Sequence, residues 1–548
     1  MVKISPLAGT RPKPQDLVTR EMLQKRYYHP EGVLNAVKNG TSGHRGLTGQ
    51  GFTDQHVAAI TQALVDIRKE RGTFGPDPVP TWINSRPMGP IVMGKDVRFS
   101  SDFAQTTAAE IFAGNGMKVI IHKGGRATPT PVISHLINTE NESGNMEGVI
   151  ITASHNPPEE AGYKSNGVDG GPNTRTAPID ELANRYLKDP SKIKRMDYDQ
   201  AVKAGLITEL DLVTPYVEDL FNVIRINALR GMPFAATPLG GAANGYYEAV
   251  NATYGTDIRV ALPEPDPASA HRTYDWDGKL RGDPSSKYVM AAVKGIRQQL
   301  GVNFIGANDN DADRFGGEDS TGILNPNHVL CVLADFLASD RIFAQNMGIG
   351  RTLGTTHMLD KIAANYGRPA YEVNIGFKYY VKGLMERKYV LAGEESAGCS
   401  FPRINGNTWV TEKDGIAAVL LMMEVMAVTG KDIGTLYGEL VSQYGAYQYQ
   451  RDDTEATPAK KARLQELIKD RNLVESLLNG KKIAGRNIEK LIIADGIKVV
   501  LENDVWVLKR ASGTEDIIKD YMEERGDDLS TATRASEELD HYLGLAGL

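Results

Sequence analysis

The chain has 548 residues, 41% of them hydrophobic and 24% charged, with a formal net charge of -7. That length holds about three to five domains, and the composition is that of an ordinary globular protein. A mildly acidic chain lacks the basic surface that non-specific nucleic-acid binding needs, although local basic loops still admit small anions.

Residues up to about Asn39 are polar, with scattered prolines, and are expected to be irregular. The opening "MVKISPLAGTRPKPQ" has no apolar signal-peptide core. The longest apolar run, residues 416–423, ends at Glu424 and is too short to span a bilayer. The two cysteines, Cys331 and Cys399, do not predict a disulfide framework. A cytoplasmic protein is expected, without membrane or nucleic-acid partners.

Beyond Asn39, strand-like and helix-like segments alternate. Residues 102–116 read as a helix ending at a glycine, residues 118–122 as a buried strand, and "GVIIT" (148–152) as another. The pattern recurs from 232, where strand, glycine turn and helix are followed by the strand "DIRVAL", a helix over 288–300 and a strand over 303–307. It recurs again from 348, with the strand "AYEVN", a helix over 377–388 and a strand over 389–393. Such alternation predicts βαβ units and mostly parallel sheets. The C-terminal part differs: "GIKVVLEND" and "VWVLKRAS" read as strands meeting at Asn503-Asp504, before the strand "IIKDYMEE" and a closing helix. The fold expected is three similar mixed α/β domains (1–205, 206–321, 322–446) and a C-terminal α+β domain (447–548). The polar stretch 447–463 is expected to be the junction before it.

Four loops carry chemistry. In "TASHNPP" (152–158) a strand delivers Ser154 to a turn stiffened by Pro157 and Pro158. The alternatives are a nucleophilic serine and an ordinary Ser/Asn turn. His155 is a tempting base, but neighbouring side chains of an extended segment face opposite ways, so it is expected to orient the loop or a phosphate. Another base must be sought, and Lys164, ten residues on, is either a solvated surface lysine or, if near a phosphate, one that steers protons. In "DNDADR" the carboxylates Asp309, Asp311 and Asp313 alternate directly after a strand. They repel one another unless a cation holds them, and hard oxygen ligands suit Mg²⁺. An EF-hand is excluded, because Arg314 and Ser320 stand where Gly and Glu are required. "AGEESAGCS" presents Glu394, Glu395 and Ser396 at a strand's carboxyl end, where open α/β sheets bind ligands. "KRASGTED" offers Arg510, Ser512, Gly513 and Thr514 as a phosphate cradle, against the alternative of a polar hairpin loop. In "NGTSGHRGL", Thr41 and Arg45 sit among three glycines, which lets an arginine approach an anion.

In the order TASHNP, DNDADR, GEESAG and RASGTED, these loops resemble those of the α-D-phosphohexomutase superfamily over nearly the whole chain. "NGTSGHRGLTGQGF", "GKDVRFSSD" and "IGFKYY" resemble its bacterial glucose-specific phosphoglucomutases more closely. The resemblance implies four domains around one cleft and a phosphoryl group carried by Ser154. It implies that Asp309, Asp311 and Asp313 bind Mg²⁺, with the Ser154 phosphate as a further ligand. Glu394 and Ser396 would hold sugar hydroxyls, and Arg510, Ser512, Gly513 and Thr514 the phosphate not being transferred. Arg45, Lys164 and Lys378 match positions at the reacting centre, with Lys164 as general acid/base. Thr41 and Arg314 join the substrate-binding set, and His155 stays with the catalytic group. The implied reaction interconverts glucose 1- and 6-phosphates through a phosphoserine enzyme, with glucose 1,6-bisphosphate as intermediate and activator. Phosphomannomutase, phosphoglucosamine mutase, a serine-dependent metal phosphatase and an inactive sugar-phosphate-binding regulator are the alternatives. Hexose phosphates are the expected partners, and a homodimer is left open. Ala511, where proline is commoner, and Cys399, where alanine is, depart from the family pattern without removing a chemical group.

Overall fold

A computed structural model describes residues 4–40, 42–75, 87–140, 145–512 and 517–548. Among the described residues, four sheets follow one another along the chain. In the first, the strands Met88–Lys95, Val119–His122, Asn145–Ile151 and Ile207–Leu210 are parallel. The strand Glu160–Asn166 then returns antiparallel to Asn145–Ile151, and Gly43–Leu47 pairs beside it. Successive side chains point to opposite faces. Val92 and Ile150 therefore enter one core, while Ile91, Met93, Val149 and Ile151 enter another. A sheet covered on both faces explains the unbroken apolar run before Ser154.

The second and third sheets repeat that plan on a smaller scale. Phe304–Asn308 runs parallel to Phe234–Thr237 and is met by the antiparallel return Phe315–Asp319. Tyr389–Glu394 runs parallel to Gly348–Thr352 and is met by Gly398–Ser400. In all three sheets the loop between a parallel strand and its antiparallel return is one of those expected to carry chemistry. Each such loop holds one non-glycine residue with positive φ: Ser154 (52°), Ala312 (56°) and Ala397 (68°). The fourth sheet is wholly antiparallel. Its strands Ile497–Leu501 and Val505–Ala511 turn at Asn503 and Asp504, both with positive φ, as in a tight hairpin.

One apolar core joins the first three units, running from Val92 through Phe304 to Val410, and the C-terminal unit keeps its own. At the centre of the shared core lies the helix Gly415–Thr429, apolar on all sides and therefore buried. Asp414 caps it by accepting from the Ala417 N–H at 2.9 Å. Its one buried charge, Glu424, accepts from Arg341 at 2.6 Å. No helix among the described residues is long and apolar enough to cross a membrane.

Several segments differ from expectation. The N-terminal stretch contains the helix Arg20–Tyr28, capped by Thr19. Only Leu23 and Tyr27 of it are buried, too few to produce a readable stripe. The expected junction at 447–463 is the edge strand Tyr447–Glu455, followed by a helix from Pro458. An edge strand pairs on one side only, here with Ile517–Arg525, and tolerates a polar sequence. The helix expected over 288–300 breaks at Gly295 (φ 79°) into the 3₁₀ turn Met290–Val293 and the short helix Ile296–Leu300. Of "DIRVAL", only Arg259–Val260 pairs. The strands Ile207–Leu210 and Gly322–Ile323 lie in the first and second sheets, so those sheets run slightly past the boundaries expected at 205 and 321.

The strand before the aspartates tolerates no bulk. A Cβ on Gly306 would lie 2.3 Å from Val419 Cγ1 of the central helix. Gly306→Ala should destabilise the protein by about 1–3 kcal/mol through overpacking, seen as a lower urea midpoint. Adding Val419→Ala should recover part of the loss. A Gly306→Ala protein as stable as the parent would show that this contact is not tight.

Candidate active site

Ser154 is buried, and its left-handed backbone costs about 1–3 kcal/mol for a residue other than glycine. The surrounding residues hold it there. The Ser154 N–H donates to Thr152 Oγ1 at 2.8 Å. Arg98, itself buried and paired with Asp96, donates from Nη2 to the Ser154 carbonyl at 2.8 Å and also to the Asn156 carbonyl. Gly282 N–H donates to the His155 carbonyl at 2.8 Å. Ser154 Oγ thereby stands 2.9 Å from Asp309 Oδ2, a hydrogen bond between the first and second units.

Asp309, Asp311 and Asp313 each place a carboxylate oxygen within 4.8 Å of the others, and all three residues are buried. Lys164 Nζ donates to Asp311 at 2.6 Å and to Asp313 at 2.9 Å. Thr130 Oγ1 donates to Asp311 at 2.6 Å. Lys413 Nζ reaches Asp313 at 3.3 Å. Burial disfavours the Asp313 charge, but Lys164 and then Lys413 outweigh it and hold this carboxyl below its usual range. Asp309 goes the other way: burial, Asp311 and Asp313 push it well above the carboxylate range. The Oδ1 atoms of Asp311 and Asp313 are buried without a hydrogen-bond partner. Crowded carboxylates with unpartnered oxygens are the donor set of a hard divalent cation, so the residues present fit a metal.

The remaining candidates fall around this pair of loops. Burial opposes the Lys164 charge, yet Asp311 and Asp313 raise its pKa above the ordinary lysine value. His155 Nδ1 lies 3.4 Å from Ser154 Oγ. Burial, with Arg314 and Arg45 nearby, holds its pKa well below the usual value, so the ring is neutral. Arg45 donates to Asn156 at 3.2 Å and to Ser42 at 3.1 Å. Arg314 donates from its backbone N–H to Asp309 at 3.1 Å and from its guanidinium to Asp283 at 3.0 Å. Glu394 accepts from the Gly376 N–H at 3.1 Å, and burial, opposed by Lys413, lifts its pKa to about 7. Ser396 lies partly exposed beside it. In the fourth loop, Arg510 Nε pairs with Asp495 at 2.9 Å, and Ser512 N–H donates to Ile517 O at 3.0 Å. Lys378 lies close to Asp495 and Arg510, and burial lowers its pKa. Thr41, Gly513 and Thr514 lie outside the described residues.

Reading the sequence alone does not find Lys413, Thr130, Asp283 or the Asp96–Arg98 clamp. Lys413 had one usable signal: it directly precedes the capping residue of the long apolar helix. Thr130 had none, because it joins Asp311 only through the fold.

Phosphoglucomutase/phosphomannomutase α/β/α domain I matches residues 36–192, and domain III of the same family matches residues 325–444. A phosphoglucomutase of Komagataeibacter xylinus is 37% identical over 547 residues, 95% of this chain and 94% of that protein. The open form of Paramecium parafusin, a phosphoglucomutase, has a TM-score of 0.70 at 22% identity, covering 94% of this chain and 96% of that one. The Aspergillus fumigatus N-acetylphosphoglucosamine mutase complex with GlcNAc-6P and magnesium has a TM-score of 0.52 at 15% identity, covering 96% and 99%. At those identities the two structures speak to the fold alone.

Saturating Mg²⁺ should raise the melting temperature of the parent protein, since a ligand that binds only the native state stabilises it. Asp311→Asn should abolish most of that rise. Asp309→Asn in metal-free buffer should melt no lower than the parent, because burial and two neighbours already oppose a charge on this carboxyl and a neutral amide replaces it. A parent indifferent to Mg²⁺ would remove the metal from this site.

Proposed function

This chain belongs to the phosphoglucomutase/phosphomannomutase family of the α-D-phosphohexomutase superfamily, and on that premise we propose that Ser154 is its phosphoryl carrier. The enzyme is an isomerase that interconverts glucose 1-phosphate and glucose 6-phosphate. The observation that supports Ser154 is its placement: a buried serine held in a costly conformation, 2.9 Å from the first of three crowded aspartates. A surface turn has no reason to be so restrained.

In this reading the phosphoserine donates its phosphoryl group to the free hydroxyl of a hexose monophosphate. The serine–phosphorus bond breaks as the sugar–phosphorus bond forms, giving glucose 1,6-bisphosphate. The bisphosphate turns over and returns its other phosphate to Ser154. Asp309, Asp311 and Asp313 would hold Mg²⁺, which neutralises charge on a phosphoryl group in transfer. Asp311 and Asp313 hold the Lys164 ammonium in its charged form; after giving up that proton to solvent, neutral Lys164 would take the proton of the attacking sugar hydroxyl and pass it to the departing Ser154 oxygen. Glu394 and Ser396 would read sugar hydroxyls. Arg510, Ser512 and, outside the described residues, Gly513 and Thr514 would hold the resting phosphate, with Lys378 alongside. Arg45 and Arg314 would complete the cationic lining, with Thr41, outside the described residues, as a further polar contact, and neutral His155 would fix the loop. Burial of Ser154 keeps water from the phosphoserine, so that the enzyme transfers rather than hydrolyses.

A coupled assay with glucose 1-phosphate, Mg²⁺ and a trace of glucose 1,6-bisphosphate tests this reading. Turnover should require all three, exceed that on mannose and glucosamine phosphates, and vanish in Ser154→Ala. Activity surviving in Ser154→Ala would overturn the carrier assignment. Arg510→Ala should lower kcat/KM by about ten- to hundredfold, the worth of roughly 1.5–3 kcal/mol for a charge-assisted bond. Both directions should suffer alike, because each phosphate visits this loop in turn. Wild-type kinetics would place the phosphate cradle elsewhere.

A further inference from the structure

Between the strand Arg259–Val260 and the 3₁₀ turn at Met290, residues 261–289 form no helix or strand. This stretch nevertheless reaches both loops that meet at Ser154. Gly282 N–H holds the His155 carbonyl at 2.8 Å. Asp283 holds the Arg314 guanidinium at 3.0 Å, and the Arg314 backbone holds Asp309. A short closed turn leads up to these residues: Asp275 N–H donates to Lys279 O at 2.8 Å, and Arg281 pairs with Asp277 at 2.7 Å.

The start of that turn is fastened from outside its own unit. Ser5 N–H donates to Trp276 O at 2.8 Å, Gly9 N–H to Tyr274 O at 2.8 Å, and Tyr274 N–H to Thr10 O at 2.9 Å. Gly9 has φ 77°, a left-handed conformation that suits glycine. The same N-terminal segment is anchored in the first unit by the helix Arg20–Tyr28, whose Tyr27 hydroxyl donates to Thr107 at 3.0 Å inside that core. Residues 4–28 thus cross from the unit that carries Ser154 to the stretch that braces its loop.

We propose that residues 5–10 act as a positioning strap: they hold residues 274–283 in register, and through Gly282 and Asp283 they hold the phosphoserine and aspartate loops together. The inference rests on Ser154 being the phosphoryl carrier. Phosphoryl transfer depends steeply on alignment, so a loosened brace should slow transfer and admit water, with little change in ground-state sugar binding.

Gly9→Pro in the full-length chain removes the donor to Tyr274 and forbids the observed φ. Gly9→Asn keeps the N–H and tolerates positive φ, and the nearest side-chain atoms to an added Cβ are 3.9 Å away. The parent and both variants are labelled with ³²P-glucose 1,6-bisphosphate and followed for kcat, KM for glucose 1-phosphate and loss of label as inorganic phosphate. Amide hydrogen exchange over 274–283 is measured alongside. Gly9→Pro should lower kcat about five- to tenfold, the worth of roughly one hydrogen bond of alignment, with KM within about twofold. It should also shed label faster and exchange faster over 274–283, while Gly9→Asn stays close to the parent. Ser5→Pro, which removes the other N-terminal donor, should act in the same direction and serves if Gly9→Pro does not fold. A labelled parent with Gly9→Pro unchanged in kcat and exchange overturns the strap alone, as does equal impairment in Gly9→Asn. A parent that takes no label overturns the phosphoserine reading, and the strap falls with it.

Discussion

Three carboxylates, Asp309, Asp311 and Asp313, are packed within 4.8 Å of one another in the protein interior, and the elements around them answer that charge. Each like-charged pair about 4 Å apart costs roughly 4 kcal/mol at an effective dielectric of about 20. One such pair is already a sizeable part of the roughly 5–15 kcal/mol that holds a whole domain folded, and Asp309 answers it by rising well above the carboxylate range. The chain meets this cost by bringing cations from two other units, Lys164 from the first and Lys413 from the third. Even so, Asp311 and Asp313 each keep one oxygen without a partner. A cluster balanced in this way cannot be built by one domain alone. That is a physical reason for the first three units to share a single apolar core rather than hang on linkers.

The same hairpin geometry is used three times. Each of the first three sheets ends its parallel run with a strand, a short loop and an antiparallel return. Such a loop projects beyond the sheet on two rigid legs, which fixes its side chains more tightly than a free loop would. The positive φ at Ser154, Ala312 and Ala397 marks the sharp reversal at each tip. Strain of this kind persists only where neighbours over-determine it. At Ser154 those neighbours are Thr152, the Asp96–Arg98 clamp and Gly282. The fourth sheet, with its separate core, presents Arg510 beside Lys378 and near Glu395.

The sequence displayed whatever is local. "DNDADR" advertises its charge problem because the three aspartates alternate, and the apolar run before Ser154 shows a strand buried on both faces. The Asn503-Asp504 turn is legible because both residues tolerate positive φ. Contacts between distant segments are not legible: Thr130 on Asp311 and Lys413 on Asp313 exist only once three units pack. Polarity misled twice. The helix Arg20–Tyr28 buries just two side chains, and the strand Tyr447–Glu455 gains its place from backbone pairing at a sheet edge rather than from apolar residues. His155 shows the limit of pattern reading. Alternation along an extended segment predicts its ring on the face away from Ser154, but Ser154 has positive φ, and His155 Nδ1 lies 3.4 Å from the Ser154 hydroxyl.

The proposed reaction requires Ser154 to hand its phosphoryl group directly to the sugar. Rapid quench of a single turnover measures that hand-over. Enzyme carrying ³²P on Ser154 is mixed with excess unlabelled glucose 1-phosphate and Mg²⁺, and quenched at intervals. The label should leave the protein at least as fast as steady-state turnover, pass through glucose bisphosphate and arrive in glucose 6-phosphate, with little released as inorganic phosphate. Label that stays on the protein while glucose 6-phosphate accumulates would contradict it.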